Sequence, residues 1–341
     1  MNIDRTEFAN ALTRAASAAG KDMEITQHLR LESRDGFLVV TGTNLNVTVE
    51  VIVAHKGAKL APVLVPTAIA RQAAALSSER VEFTVKSGRA TLEGDATFRM
   101  PTYPVNNWPT IEPPTAGGWE PSSGFHQRFA AVATHAGTDP SRPHMMAVGL
   151  VSGSMVATDA YRMAVIDEDV PSDTLMLVPP VKLGGPVDRV DFDDRHVMFT
   201  TPEGRTWARL REPAGYPSAD KMRALAPNPK TAVSVEVHAE KLAAACARAE
   251  MVDKVGGVNM EMTDKGLHLT VAGESEFDET IPATFSGEFP DLAHNPSRLK
   301  DALAPIDGMA NLTISDASGK SPMMISAGWW RSLVMPVVAK K

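Results

Sequence analysis

Two groups of side chains in the 341-residue sequence have the types and spacing to do chemistry. Asp191-Phe192-Asp193-Asp194 puts three carboxylates within four positions, and such oxygen donors suit a divalent cation. They stand beside Arg189 and Arg195, where a strand gives way to a turn, and a solvated turn explains that composition more simply. His135, Asp139 and His144 form the second group. They fall at helix-end and loop positions without a paired motif, where hydrogen-bonded histidines are the commoner arrangement. Cys246 sits in Ala244-Ala245-Cys246-Ala247 and reads as a small packing residue rather than a nucleophile. The sequence contains no Gly-x-x-x-x-Gly-Lys loop, no His-Glu-x-x-His and no Gly-x-Ser-x-Gly. The expectation is a protein that is not an enzyme and needs no cofactor or metal.

The totals narrow the class. Hydrophobic residues make up 43% and charged residues 22%, the balance of a globular protein. A net charge of −7 disfavours DNA over the surface as a whole, so any nucleic-acid contact needs a local basic face. The single cysteine excludes an internal disulfide and a cysteine metal cluster. No apolar run approaches the roughly 18 residues of a membrane span. Met1-Asn2-Ile3-Asp4-Arg5 leads straight into an amphipathic pattern, so a cytoplasmic protein without a signal peptide is expected.

The elements that must carry any site recur three times. Phe8 to Ala15, Phe129 to Ala136 and Leu242 to Ala249 each open on a large apolar residue, run through alanine and carry Arg14, His135 or Arg248 six positions on. These helix patterns are 121 and 113 residues apart, the size of a compact domain. Val65-Pro66, Val178-Pro179 and Asn295-Pro296 follow as candidate helix starts, continuing helically over Thr67 to Leu76 and Ser297 to Leu303. Between them, Phe37 to Thr41, Val47 to Val51, Val258 to Met262 and Leu267 to Val271 read as strands. Tyr103-Pro104, Tyr216-Pro217 and Met335-Pro336 close the copies, and the connectors Pro113 to Gly118 and Leu225 to Pro229 mark boundaries. The fold class is therefore α+β, in three copies: 1–117, 118–229 and 230–341. The second copy departs from the pattern. Pro180-Val181-Lys182-Leu183-Gly184-Gly185-Pro186 leaves room for barely one helical turn before a strand resumes at Val187, because two glycines and a proline disfavour more.

One stretch organises the rest. Met155 to Val165 reads as strand, tight turn at Thr158-Asp159-Ala160, and strand. Together with Arg142-Pro143-His144-Met145-Met146 upstream and Leu333-Val334-Met335-Pro336-Val337 near the end, it resembles the bacterial sliding clamp family, the β subunit of DNA polymerase III. In that family a Thr-Asp-Gly-(Tyr/His)-Arg-Leu corner and a C-terminal Val-Met-Pro segment line one peptide-binding groove. Here Ala160 stands for the usual Gly and Met163 for Leu.

The resemblance implies three tandem clamp domains, each of two helices on antiparallel sheets. Two chains would join head to tail into a ring around duplex DNA, with a truncated second helix in the middle domain. It implies a groove of Met145, Thr158, Ala160, Tyr161, Arg162, Met163, Tyr216, Pro217, Arg223, Leu225, Pro322, Leu333, Met335, Pro336 and Val337. Arg298 stands where the family commonly has Tyr, which charges one groove wall. Methionine and proline suit such a surface because they adapt to several peptides. The implied DNA set is Arg5, Arg14 and Lys21 on the first helix, then Arg71, Arg128, Lys182, Lys241, Arg248, Arg298 and Lys300; Lys21 falls closest to a DNA-contacting arginine of the family. Tyr103, Met251 and Val252 would meet across a homodimer joint. The implied partners are double-stranded DNA without sequence preference, the polymerase III catalytic subunit, a clamp loader and other proteins carrying the clamp-binding motif. The alternatives are a clamp paralogue that binds partners without supporting replication and, from another class, a metal-dependent enzyme using Asp193, Asp194 and the histidines.

Overall fold

In a computed structural model, the chain is described except for residues 110, 116, 229–231, 254–255, 316–320 and 338–341. The expected boundary at 229/230 lies outside the described residues. The described chain forms two compact units, Met1–His126 with Val181–Leu210, and Gln127–Pro180 with Arg211–Lys341. The sequence repeats and the units follow different divisions, because sheets run on from one repeat into the next. In the first unit the strand Val47–Lys56 pairs with Phe37–Thr43 and also, antiparallel, with Gly204–Arg209 from Val51↔Gly204 to Val47↔Ala208. In the second, Arg162–Asp167 pairs with Trp330–Val334.

The first unit is a twelve-stranded sheet carrying α1 (Arg5–Ala16) and α2 (Ile69–Ala75). Asp4 caps α1 by accepting from the Thr6 and Glu7 amides at 2.9 and 3.0 Å, which satisfies two of its four free donors. Phe8, Leu12 and Ala15 recur at helical spacing and are fully buried with Leu31, Leu38 and Phe83. Burying the Phe and Leu side chains among these contributes about 2 kcal/mol each. α1 stops at Ala16, so Lys21 lies beyond it. Pro66 does not start a helix; it closes the strand Val63–Pro66 opposite His28.

The helix α3 (Phe125–Ala133) precedes the second unit's nine-stranded and four-stranded sheets, on which sit α4 (Ala219–Arg223), α5 (Ala239–Val252) and α6 (Pro296–Leu303). α5 buries Leu242, Ala245, Cys246 and Ala249, and burial pushes the Cys246 thiol up to about 12, the state of an inert packing residue. Pro296 opens α6 and the Asn295 side chain accepts from the Arg298 amide at 3.1 Å. Isolated bridges Leu64↔Tyr103, Leu177↔Arg211 and His294↔Pro336 recur at matching places in the three repeats. The helix α4 was not expected in the connector; Ser218 caps it by accepting from Lys221 N.

Residues 181–188 contain no helix at all. The reason is visible at Gly184, whose φ of +81° suits glycine and where a Cβ would lie 2.2 Å from the Arg14 guanidinium carbon. The space beside α1 is an open cavity of about 660 Å³ lined by Glu7, Asn10, Arg14, Lys182, Gly184 and Glu203.

Candidate partner groove and nucleic-acid interface

The corner is built from its own side chains. Strands Ser154–Thr158 and Arg162–Asp167 pair from Ser154↔Asp167 to Thr158↔Met163, leaving Asp159, Ala160 and Tyr161 to turn the chain. The Thr158 hydroxyl donates to the Arg162 carbonyl at 2.8 Å and accepts from Ala160 N at 3.1 Å. Asp159 accepts from the amides of Tyr161 and Arg162, each at 2.9 Å. These bonds hold Ala160 at φ +75°, a left-handed conformation that costs an L-residue roughly 1–2 kcal/mol. Short polar residues on both sides of a turn are the sequence signal for this arrangement.

Arg162 is a brace rather than a free cation. Its guanidinium donates to Asp159 at 3.2 Å, Asp301 at 2.5 Å and the Thr134 carbonyl at 2.8 Å. That ties the corner to α6 and to the end of α3. Tyr161 is thereby turned outward and is 50% exposed.

The C-terminal segment lies against this corner. Met163 pairs with Leu333, and Met335 N donates to the Tyr161 carbonyl at 2.8 Å. Val337 N donates to Ala293 O at 2.8 Å. The buried His294 Nδ1 lies 3.2 Å from Met335 O, and burial pulls its pKa down to about 4 against the opposing hydrogen bond. The ring is therefore neutral near pH 7 and Nδ1 donates. Below lies a small apolar cluster of Ala147, Val156, Val165, Leu177, Tyr216 and Met222, against which Met163 packs. The Tyr216 hydroxyl donates to Val156 O at 3.3 Å.

Thr158, Ala160, Tyr161, Arg162, Met163, Leu333, Met335, Pro336 and Val337 are thus brought into one bonded neighbourhood, with Tyr216 beneath. Arg223 reaches it indirectly, because it and Arg331 both bind Asp167 at 2.9 Å. Pro217 and Pro322 are half-buried and Leu225 exposed. Met145 ends the short turn Pro143–Met145, and its carbonyl accepts from Gly137 N at 2.7 Å. Sequence reasoning missed three members. His294 fixes Met335, Asp301 fixes Arg162, and the buried His135 hydrogen-bonds Ser332 at 2.7 Å on the strand leading to the groove. Of the three, only His135 had drawn notice in the sequence, as a hydrogen-bonded histidine and not as a neighbour of the closing strand.

The basic residues divide into two classes. Arg14 is largely enclosed: its side chain is 11% exposed, donates to Leu183 O at 2.7 Å, and pairs with Glu203 at 3.1 Å. Arg128 is held by the fully buried Glu168 side chain at 2.5 Å, Arg248 by both oxygens of Glu279, and Lys300 by Glu250 at 2.5 Å. Arg298 lies over the Tyr161 ring, 4.1 Å from its centroid. Lys21, Arg71, Lys182 and Lys241 are exposed, and neither they nor the half-buried Arg5 has a carboxylate partner among the described residues. Tyr103 is exposed and packs edge-on against His28 at 4.4 Å. Met251 is 84% exposed beside the half-buried Val252.

The supposed metal ligands are otherwise employed. Asp193 accepts from the Arg195 and His196 amides at 2.8 and 2.7 Å, closing a turn. Asp139 caps Ser141 and pairs with Arg142. Burial, with the Arg162 charge, pulls His135 down to about 3. Among the described residues no three His, Cys, Asp or Glu side chains gather as metal ligands, and no helix is long and apolar enough to cross a membrane.

Residues 1–112 match the family described as DNA polymerase III beta subunit, N-terminal domain. Over 99% of this chain and 98% of its own length, the beta sliding clamp of Streptomyces coelicolor is 25% identical. The beta sliding clamp homolog GriR of Streptomyces muensis is 26% identical over 84% of this chain and 83% of its own. The fold matches the crystal structure of the Thermotoga maritima DNA polymerase III β subunit with a TM-score of 0.82, at 21% identity and over 99% of each chain. Residues 1–112 thus match the N-terminal domain of the DNA polymerase III β subunit, and along its whole length the chain has the α+β fold of the bacterial β subunits, the sliding clamps.

Proposed function

We propose that this protein is a non-enzymatic processivity factor. In this reading two copies, each of domains 1–117, 118–229 and 230–341, close head to tail around duplex DNA. The observations that support it are the clamp fold along the whole chain and the hydrogen bond that ties Met335 to the Tyr161 corner, where the groove is proposed. A ring holds DNA by enclosure, so it needs only weak, sequence-independent phosphate attraction. The exposed, unpaired Lys21, Arg71, Lys182 and Lys241 suit that demand. Partners docked in the groove, foremost the polymerase III catalytic subunit, rebind their primer at high effective concentration. A clamp loader would supply the energy of opening, so the chain needs no nucleotide site.

A second reading is favoured by two observations. Arg14, Arg128, Arg248 and Lys300 are neutralised within the fold, and the middle repeat lacks its second helix. That suits a paralogue that binds clamp partners without serving replication. Retention separates the two. Loaded on nicked circular DNA by a clamp loader, a processivity ring stays through gel filtration and leaves once the circle is cut. Equal loss from circular and linear DNA would leave the paralogue and refute the processivity role.

A further inference from the structure

We infer that the groove selects acidic peptides, and that Arg298 is the residue that reads the acid. The inference rests on the groove reading above and names its partner chemistry. Arg298 projects from the first turn of α6, where its own amide is held by Asn295. Its guanidinium lies 4.1 Å from the centroid of the Tyr161 ring. Tyr161 in turn is fixed at the corner by Asp159 and linked through its carbonyl to Met335. Stacking on an aromatic face holds a guanidinium in one plane while leaving its N–H edges free for a carboxylate.

Arg142, Arg162, Arg223 and Arg331 each already touch a carboxylate. Arg162 takes Asp159 and Asp301. Arg223 and Arg331 share Asp167, and Arg142 takes Asp139. Asp301, one turn from Arg298 on the same helix, is the natural intrahelical partner, but it is committed to Arg162 at 2.5 Å. Arg298 has no carboxylate partner among the described residues. Arg298 is therefore a pre-oriented, half-buried guanidinium that touches no carboxylate among the described residues, set beside the apolar side chains of the corner. A peptide whose large apolar side chains cover Met163 and Met335, and which carries Asp or Glu on the side facing Tyr161, gains a charge-assisted, planar contact there. The same peptide with Lys at that place meets like charge.

The test uses the full-length protein and synthetic peptides with a glutamine followed by large apolar residues. A single Glu, Gln or Lys is placed at each position flanking the apolar pair. Calorimetry at low and high salt reads the affinity ratios. At one flanking position Glu is expected to bind roughly three- to tenfold tighter than Gln, with Lys weaker than both. The ratio shrinks with salt and falls to one in Arg298→Tyr. Arg298→Lys retains part of the salt-dependent ratio, which separates charge reading from loss of fold. Neutral peptides that bind with no Glu preference at any position overturn the inference and leave the groove standing. A preference unchanged in Arg298→Tyr overturns it too. Failure of every peptide overturns the groove reading, and the acid preference with it.

Discussion

Ala160→Gly should stabilise this protein, and the size of the effect follows from the corner's geometry. Ala160 is held at φ +75° by the Thr158 hydroxyl and the neighbouring Asp159 bonds. The methyl group in that conformation costs roughly 1–2 kcal/mol. Removing it gives back that strain but adds roughly 0.5–1 kcal/mol of chain entropy to the unfolded state. The difference is a net gain of about 0.5–1 kcal/mol, or about 1–3 °C in the transition of a unit this size. Gly153, in the turn between strands Val148–Val151 and Ser154–Thr158, supplies the reverse control: its φ is +67° and a Cβ there meets nothing within 4 Å. Gly153→Ala should therefore lose stability through backbone strain alone. Differential scanning calorimetry of the three proteins, with Ala160→Val as an aggravated case, measures both signs. If Ala160→Gly melts at or below the parent temperature while Gly153→Ala is destabilised, the strain at Ala160 is not real, and the hydrogen bonds of the corner have relaxed it.

Two further outcomes are expected. Glu50 is buried; desolvation pushes its pKa up, but hydrogen bonds from Arg34 and Arg205, both at 2.6 Å, outweigh it and hold the carboxyl below its ordinary range. A lowered native value means stability that is full above the ordinary carboxylate range and lost as pH falls through the native value. Glu50→Gln should thus cost about 1–3 kcal/mol at pH 7, discounted because both arginines are partly solvated. The gap to the parent in urea melts should close in acid, and a pH-independent gap would rule the ion pair out as its source. At the proposed dimer joint, Met251→Asp with Val252→Asp should convert dimer to monomer in sedimentation, since desolvated carboxylates oppose an apolar contact; an unchanged dimer would place the joint elsewhere.

Much of this molecule is legible in order and periodicity. Helical spacing in Phe8, Leu12 and Ala15 marks a buried face wherever the chain goes, and the threefold recurrence of helix, strands and closing Tyr-Pro or Met-Pro depends only on residue types in sequence. Two glycines and a proline are enough to expect the middle repeat's second helix cut to about one turn, and the structure has none over 181–188. Thr158-Asp159-Ala160 specifies its own turn, because the bonds that close it span only a few residues.

What only tertiary structure decided is the state of the charges. A basic residue on a helix looks alike in sequence whether it faces solvent or a carboxylate. Arg14 meets Glu203, Arg128 meets Glu168 and Arg162 meets Asp301, at separations of 189, 40 and 139 residues, and no local pattern encodes such pairs. The same holds for His294 under Met335 and for Arg298 on Tyr161. Helix and strand periods are set by neighbours a few residues away. Ion pairing is set by which distant segments the sheets bring within a few ångström, so the sequence names the cations and the fold chooses which of them remain free.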